Sequence, residues 1–86
     1  MPTVSLFNGI KILMYFDDHH PPHFHAQYAC NAALINILDV TVMKSALPKR
    51  QLKLVLAWAE LHKDELMQNW ELVKESKEPL EIRPLS

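Results

Sequence analysis

Residues 23–28 read His-Phe-His-Ala-Gln-Tyr, and this alternation decides the fold class. In an extended strand successive side chains point to opposite faces. Phe24, Ala26 and Tyr28 therefore fall on one side, and His23, His25 and Gln27 on the other. The first set is the natural core face. The same period of two runs through the flanking sequence. Ile10, Ile12, Met14 and Phe16 share one side of an earlier strand; Ala33 to Leu38 makes a third, and Val40 to Lys44 a shorter fourth. Asn31 and Asp39 are the expected turn residues, because both tolerate a left-handed backbone and bond their own main chain. Short links between successive strands imply an antiparallel meander.

From Pro48 onward the period changes. Proline suits the first turn of a helix, where its missing N–H costs nothing and its φ is already set. Leu52, Val55, Leu56, Ala59, Leu66, Trp70 and Val73 keep helical spacing from there to about Glu75. No Gly or Pro interrupts that run, so one helix of roughly 40 Å is expected at 1.5 Å per residue. The expected architecture is α+β: an antiparallel β-meander of three to four strands packed against a long C-terminal helix. The chain reads as a single domain over 1–86, with sheet at about 3–46, helix at about 48–75 and an extended tail at 76–86.

The helix carries a second apolar set. Leu54, Trp58 and Leu61 are spaced i, i+4, i+7 on the side away from the Leu52–Ala59 stripe, and a helix apolar all round is normally buried all round. A partner is then expected on Leu54, Trp58 and Leu61, either a second copy in a homodimer or a small protein from a neighbouring gene. The plainer alternative is that the tail, Leu80 to Leu85, folds back over this face.

Lys44, Lys49, Arg50 and Lys53 cluster ahead of that face. Three of them fall in the first turns of the expected helix, where the macrodipole is already positive. Asp64, Glu65, Glu71 and Glu75 lie towards its other end. So reversed a pattern suits a phosphate or an acidic surface at the helix start, and nucleic acid is one candidate. Solvated lysines, each costing a few tenths of a kcal/mol, are the simpler account.

The most reactive-looking stretch precedes the opening hexapeptide. Asp17-Asp18-His19-His20-Pro21-Pro22 leads into His23. His23 and His25 project from one sheet face, and such a pair is a workable two-point chelate for zinc or another divalent transition metal. Pro21-Pro22 would hold the approach extended, and His19, Asp17 or Asp18 could supply a third ligand, leaving a position for water. A metal-dependent hydrolase or nuclease would use such a set, with Lys49 and Arg50 on phosphate. Nothing in the pattern identifies a nucleophile or a general base. His62, alone beside Trp58, is expected to pack or cap.

Composition sets the outer bounds. With 86 residues, 49% hydrophobic, and a formal net charge of −1, the chain is an ordinary globular domain without a global field towards nucleic acid or membrane. A single cysteine, Cys30, excludes an internal disulfide and suits a reducing compartment. The N-terminal stretch lacks a basic leader and no run nears the roughly 18 apolar residues of a spanning helix. A soluble, unprocessed, cytoplasmic protein is expected.

These residues also carry a resemblance. The run D-D-H-x-P-P-H-F-H-A (Asp17 to Ala26), a short apolar strand, then Leu47-Pro48-Lys49-Arg50 and W-x-x-x-H-x-x-E-L-x-x-N-W (Trp58 to Trp70) resemble the bacterial domain-of-unknown-function 4160 family, from Pro2 to about Leu85. The resemblance implies a small stand-alone bacterial protein of unassigned activity. Such proteins are often encoded beside another small domain, in the manner of toxin–antitoxin pairs. The family commonly has asparagine where His20 stands, which makes His20 the poorest ligand of the four clustered histidines. Its strand-turn glycines are absent near Val40-Thr41 and Lys44-Ser45.

Overall fold

The computed structural model describes residues 3–16 and 20–85. Among them, β1 (Thr3–Phe7), β2 (Ile10–Leu13), β3 (His23–Tyr28), β4 (Asn31–Asn36) and β5 (Thr41–Ser45) precede α1 (Lys49–Leu61) and α2 (Lys63–Lys74). The strands form one antiparallel sheet in chain order. The α+β class and the meander are as expected. Two details differ: the sheet has five strands rather than three to four, and the single long helix is two.

The additional strand comes from a hairpin at Asn8-Gly9. Phe7 pairs with Ile10 across this two-residue turn, and both central residues are left-handed, at φ 50° and 76°. That is the type I′ geometry for which Asn-Gly is the preferred dipeptide. Gly9 is doubly required there, since a Cβ would lie 3.3 Å from the Tyr28 ring. The other turns depart from expectation as well. Asn31 begins β4, and the left-handed residue before it is Ala29, at φ 55°. In the β4–β5 turn the left-handed position is Val40, at φ 54°, rather than Asp39. Asp39 instead accepts a 2.6 Å hydrogen bond from the Thr41 hydroxyl. Cys30 sits exposed in the β3–β4 turn.

His62 separates the helices, at φ −117° and ψ 25°. Its N–H still reaches the Trp58 carbonyl at 3.1 Å, and its own carbonyl accepts from Leu66 N–H at 2.9 Å, so the chain is interrupted by one residue only. A straight rod of roughly 40 Å would overrun five strands spaced about 4.8 Å apart, and the interruption keeps both halves on the sheet. It also removes part of the apparent conflict with the dipole, although Lys49, Arg50 and Lys53 still stand in the first turns of α1. Asp64 and Glu65 stand in the first turn of α2 and Lys74 in its last, the favourable placement at both ends. Pro48 caps α1 from outside with ψ 150°, one position earlier than expected.

Both helices pack on one face of the sheet. Phe7, Ile10, Ile12, Phe24, Ala26 and Ile35 are buried there with Val55, Trp58 and Ala59 of α1 and Leu66, Trp70 and Val73 of α2. The Trp58 ring lies 5.5 Å from Phe7 and 5.8 Å from Phe24. Met14 is buried past the end of β2, whereas Phe16, expected on the same face, is 39% exposed.

The tail after α2 closes the molecule. Ser76, left-handed at φ 58°, ends the helix with Lys77 N–H on the Leu72 carbonyl at 2.9 Å and Ser76 N–H on Val73 at 3.1 Å, the Schellman pattern with serine in the usual glycine place. The chain then runs back along α2 and α1. Asn69, fully buried, clasps Leu80 twice at 2.8 Å: its amide donates to the Leu80 carbonyl, and its carbonyl accepts the Leu80 N–H. Ile82 is buried and donates its N–H to the Val4 carbonyl at 2.7 Å. The Trp58 indole donates to the Arg83 carbonyl at 2.9 Å. Among the described residues no helix is long and apolar enough to cross a membrane.

Candidate functional site

The strand register fixes what the outer face of the sheet presents. Directly paired residues share a face. Leu13, His25, Leu34 and Lys44 therefore form one row across β2 to β5, with His23, Asn36 and Thr41 in the next. His23 and His25 do project from one face, as the alternation requires, with ring centroids 5.4 Å apart. Tyr15, just past β2, sets its ring edge-on to His25 at 4.4 Å.

His23 is buried, and its ring meets Trp70 of α2 at 5.3 Å; the exposed His20 meets the same indole at 5.8 Å. His23 Nδ1 lies 2.8 Å from the Pro21 carbonyl oxygen. A carbonyl only accepts, so Nδ1 donates in this bond. A ring N–H held by a main-chain carbonyl in this way is the support that metal-binding imidazoles commonly have. Of the other expected ligands, Asp17, Asp18 and His19 lie outside the described residues. Among the described residues no group of three or more His, Cys, Asp or Glu side chains is placed to hold a metal. His62 bonds Glu65 at 2.6 Å and packs 5.4 Å from Trp58, the packing role expected of it.

The expected partner surface is largely internal. Trp58 is wholly buried, and the tail carbonyl on its indole shows that the tail covers this side. Leu54 is half-buried against the core, and only Leu61, at 72% exposure, faces solvent. The helix motif Trp58 to Trp70 thus has architectural work throughout. Trp58 and Asn69 hold the tail, His62 and Glu65 pair at the interruption, Leu66 fills the core and Trp70 backs His23. The role of Asn69 was not evident from periodicity; a polar residue beside two core positions is its only signal.

The two sheet edges are treated differently. The tail lies against β1 through Ile82 and Val4. Among the described residues β5 has only β4 beside it, and all five of its residues are exposed. Val42 pairs with Ile35 on the helix side, yet remains 41% exposed, with Met43 at 44% and Leu38 in the preceding turn at 52%. The register shifts between Leu34 and Ile35, so Met43 is the extra residue of a bulge. Lys44, Lys49, Arg50 and Lys53 are likewise exposed, and among the described residues none of them joins an ion pair. No acidic residue occurs between Asp39 and Glu60.

Two shallow clefts, one beside β1 and Glu81 and the other beside Leu61, His62 and Arg83, are bordered by neither His23 nor His25. No curated protein and no solved structure matched the chain. A family model did match, over residues 9–71, from the Asn8-Gly9 turn to the last turn of α2. That span holds the paired histidines, the open edge and the whole Trp58–Trp70 motif, and the chain belongs to the family described as a domain of unknown function, DUF4160.

Proposed function

We propose that this chain is a protein-interaction module of the bacterial cytosol, one member of a two-protein set of the toxin–antitoxin type, and that β5 is the edge it offers. The observation that supports this is the contrast between the edges. An unpaired strand presents a row of main-chain donors and acceptors, and proteins usually cover or blunt it. Here the tail sets a main-chain bond on β1, from Ile82 N–H to the Val4 carbonyl, while among the described residues nothing pairs with the far side of β5, which has Val42, Met43 and Leu38 around it. Strand addition to such an edge is a recurrent mode of recognition, with affinity from main-chain bonds and selectivity from alternate side chains. The test is a photo-crosslinking residue placed at Met43 in cells. The expected result is a discrete adduct absent from a control with the same residue at Gln68, an exposed position on α2. Equal labelling from both positions would remove β5 as the docking edge.

A second reading has its own observation. The Pro21 carbonyl accepts from His23 Nδ1, and the ring lies 5.4 Å from that of His25, an arrangement that favours divalent metal binding and, with a third ligand, hydrolysis. Metal content of untagged protein tests it. Stoichiometric zinc or manganese, lost in a folded His23→Ala/His25→Ala variant, supports it, and metal-free protein indifferent to added zinc ends it.

A further inference from the structure

Resting on the proposal that β5 is a docking edge, we infer that its occupant is an acidic, extended segment of a different polypeptide, paired antiparallel or parallel to β5 with its carboxylates on Lys44, Lys49, Arg50 and Lys53.

Three observations carry this. The first is charge. Four cations stand exposed without an ion pair among the described residues, in a stretch free of Asp and Glu. The chain's acids lie elsewhere, mostly from Glu60 to Glu81, where Glu65, Glu71 and Glu75 pair with His62, Lys74 and Lys77. Charge at a rim chooses partners more than it adds affinity, and this rim chooses an anion. The second is geometry. Only Ala46, Leu47 and Pro48 separate β5 from α1, so the Lys49 backbone lies within about 15 Å of the strand's end. An added strand would pass both Lys44 on the outer face and the start of α1. The third is the apolar pair Val42 and Met43, on the edge itself. A nucleic acid would use the cations and leave that pair wet, whereas a strand with alternating apolar and acidic residues matches both.

A second copy of this chain fits poorly. Pairing β5 with its own image would bring two identical sets of these cations together with no acid between them, and like charges facing across strands repel. Lys44 and the Met43 bulge are also the devices by which edges resist self-pairing. The bulge leaves a short ladder on either side, so side-chain and charge contacts have to supply much of the selectivity.

The test uses the purified full chain and labelled ten-residue peptides in an anisotropy titration. One peptide alternates Glu with Val or Thr, its counterpart has Lys for Glu, and a third is the acidic peptide with alternate backbone N-methyl groups. The acidic peptide should bind about tenfold more tightly than the lysine one, consistent with a few exposed pairs. N-methylation should weaken it at least as much, because it removes ladder donors. The exposed-site variant Lys44→Glu/Lys49→Glu should invert the charge preference, a readout that loss of folding cannot produce. Equal binding of both charge types, each sensitive to N-methylation, would overturn the acidic partner and leave the docking edge standing. No binding by any peptide, or tight binding of an oligothymidylate competed by no peptide, would overturn both.

Discussion

The Asn69 clasp gives the sharpest stability prediction, because two hydrogen bonds from one buried side chain hold the returning tail. In Asn69→Ala the two 2.8 Å bonds to Leu80 are lost. At a net ~1 kcal/mol for each hydrogen bond, the cost is about 2 kcal/mol if the tail otherwise stays in place. Letting the tail go would give up the Trp58–Arg83 and Ile82–Val4 bonds and the burial of Ile82, and would return the backbone entropy of residues 80–85. The variant takes whichever arrangement is lower in free energy, so detachment can only reduce the loss. The expected cost is therefore about 1–2 kcal/mol, or a fall in Tm of roughly 5–15 °C for a domain of this size.

Urea denaturation measures the cost, and a cycle with Ile82→Ala tests the cause. Ile82→Ala alone should cost about 2–4 kcal/mol. If both residues hold one segment, the second substitution finds the tail already loose, and the double variant should fall short of the sum by at least about 1 kcal/mol. The emission of Trp58, isolated by Trp70→Phe, should shift to the red in either single variant as its covered side meets water. A cost for Asn69→Ala below about 0.5 kcal/mol, strict additivity in the cycle, or an unshifted Trp58 spectrum would each refute the clasp.

Other substitutions follow from the same geometry. Gly9→Ala meets both a φ of 76° and the Tyr28 ring at 3.3 Å, so it should cost about 1–2 kcal/mol by thermal melt. Ala29→Gly and Ser76→Gly relieve exposed left-handed positions and should each raise stability by roughly 0.5–1 kcal/mol. Leu61→Ser, at an exposed site, should change stability by less than about 0.5 kcal/mol. It should also leave the sedimentation mass unchanged with concentration, whereas Trp58→Ala should cost about 3–5 kcal/mol.

What the sequence disclosed tracks how strongly each feature is written in periodicity. Alternation in residues 23–28 places Phe24 and Ala26 in the core and both histidines on the opposite face of the strand, because one buried face leaves no other register. The Asn8-Gly9 hairpin was equally legible by its turn chemistry, but residues 3–7 alternate less clearly, and Val4 sits in a bulge. Ala29 and Val40 were illegible: neither residue type favours the left-handed region, and the surrounding ladder imposes it. The helix interruption at His62 uses no Gly or Pro, and its trace lay in Asp64 and Glu65, which mark a second helix start. Which of the two expected covers lies on Trp58 was illegible for a physical reason. A period shows that Trp58 must be buried, but not whether a second chain or the chain's own tail buries it.

Setting aside the residues with architectural roles changes where function has to be sought. Trp58, His62, Glu65, Leu66, Asn69 and Trp70 form the most recognisable motif, and each is engaged in holding the helices, the tail or the ring of His23. Substituting any of them perturbs the fold first, so loss of a phenotype in such variants cannot locate a site. The residues on which folding makes the fewest demands are Thr41 to Lys44 on the open edge and Lys49, Arg50 and Lys53 beside it. His25 lies in the same outer row as Lys44, separated from it by Leu34 alone. Two strand spacings, about 10 Å, thus separate the histidine pair from the edge. An added strand and a bound ion would be neighbours on one face, and a metal-dependent change in peptide affinity is the measurement that would join the two proposals into one site.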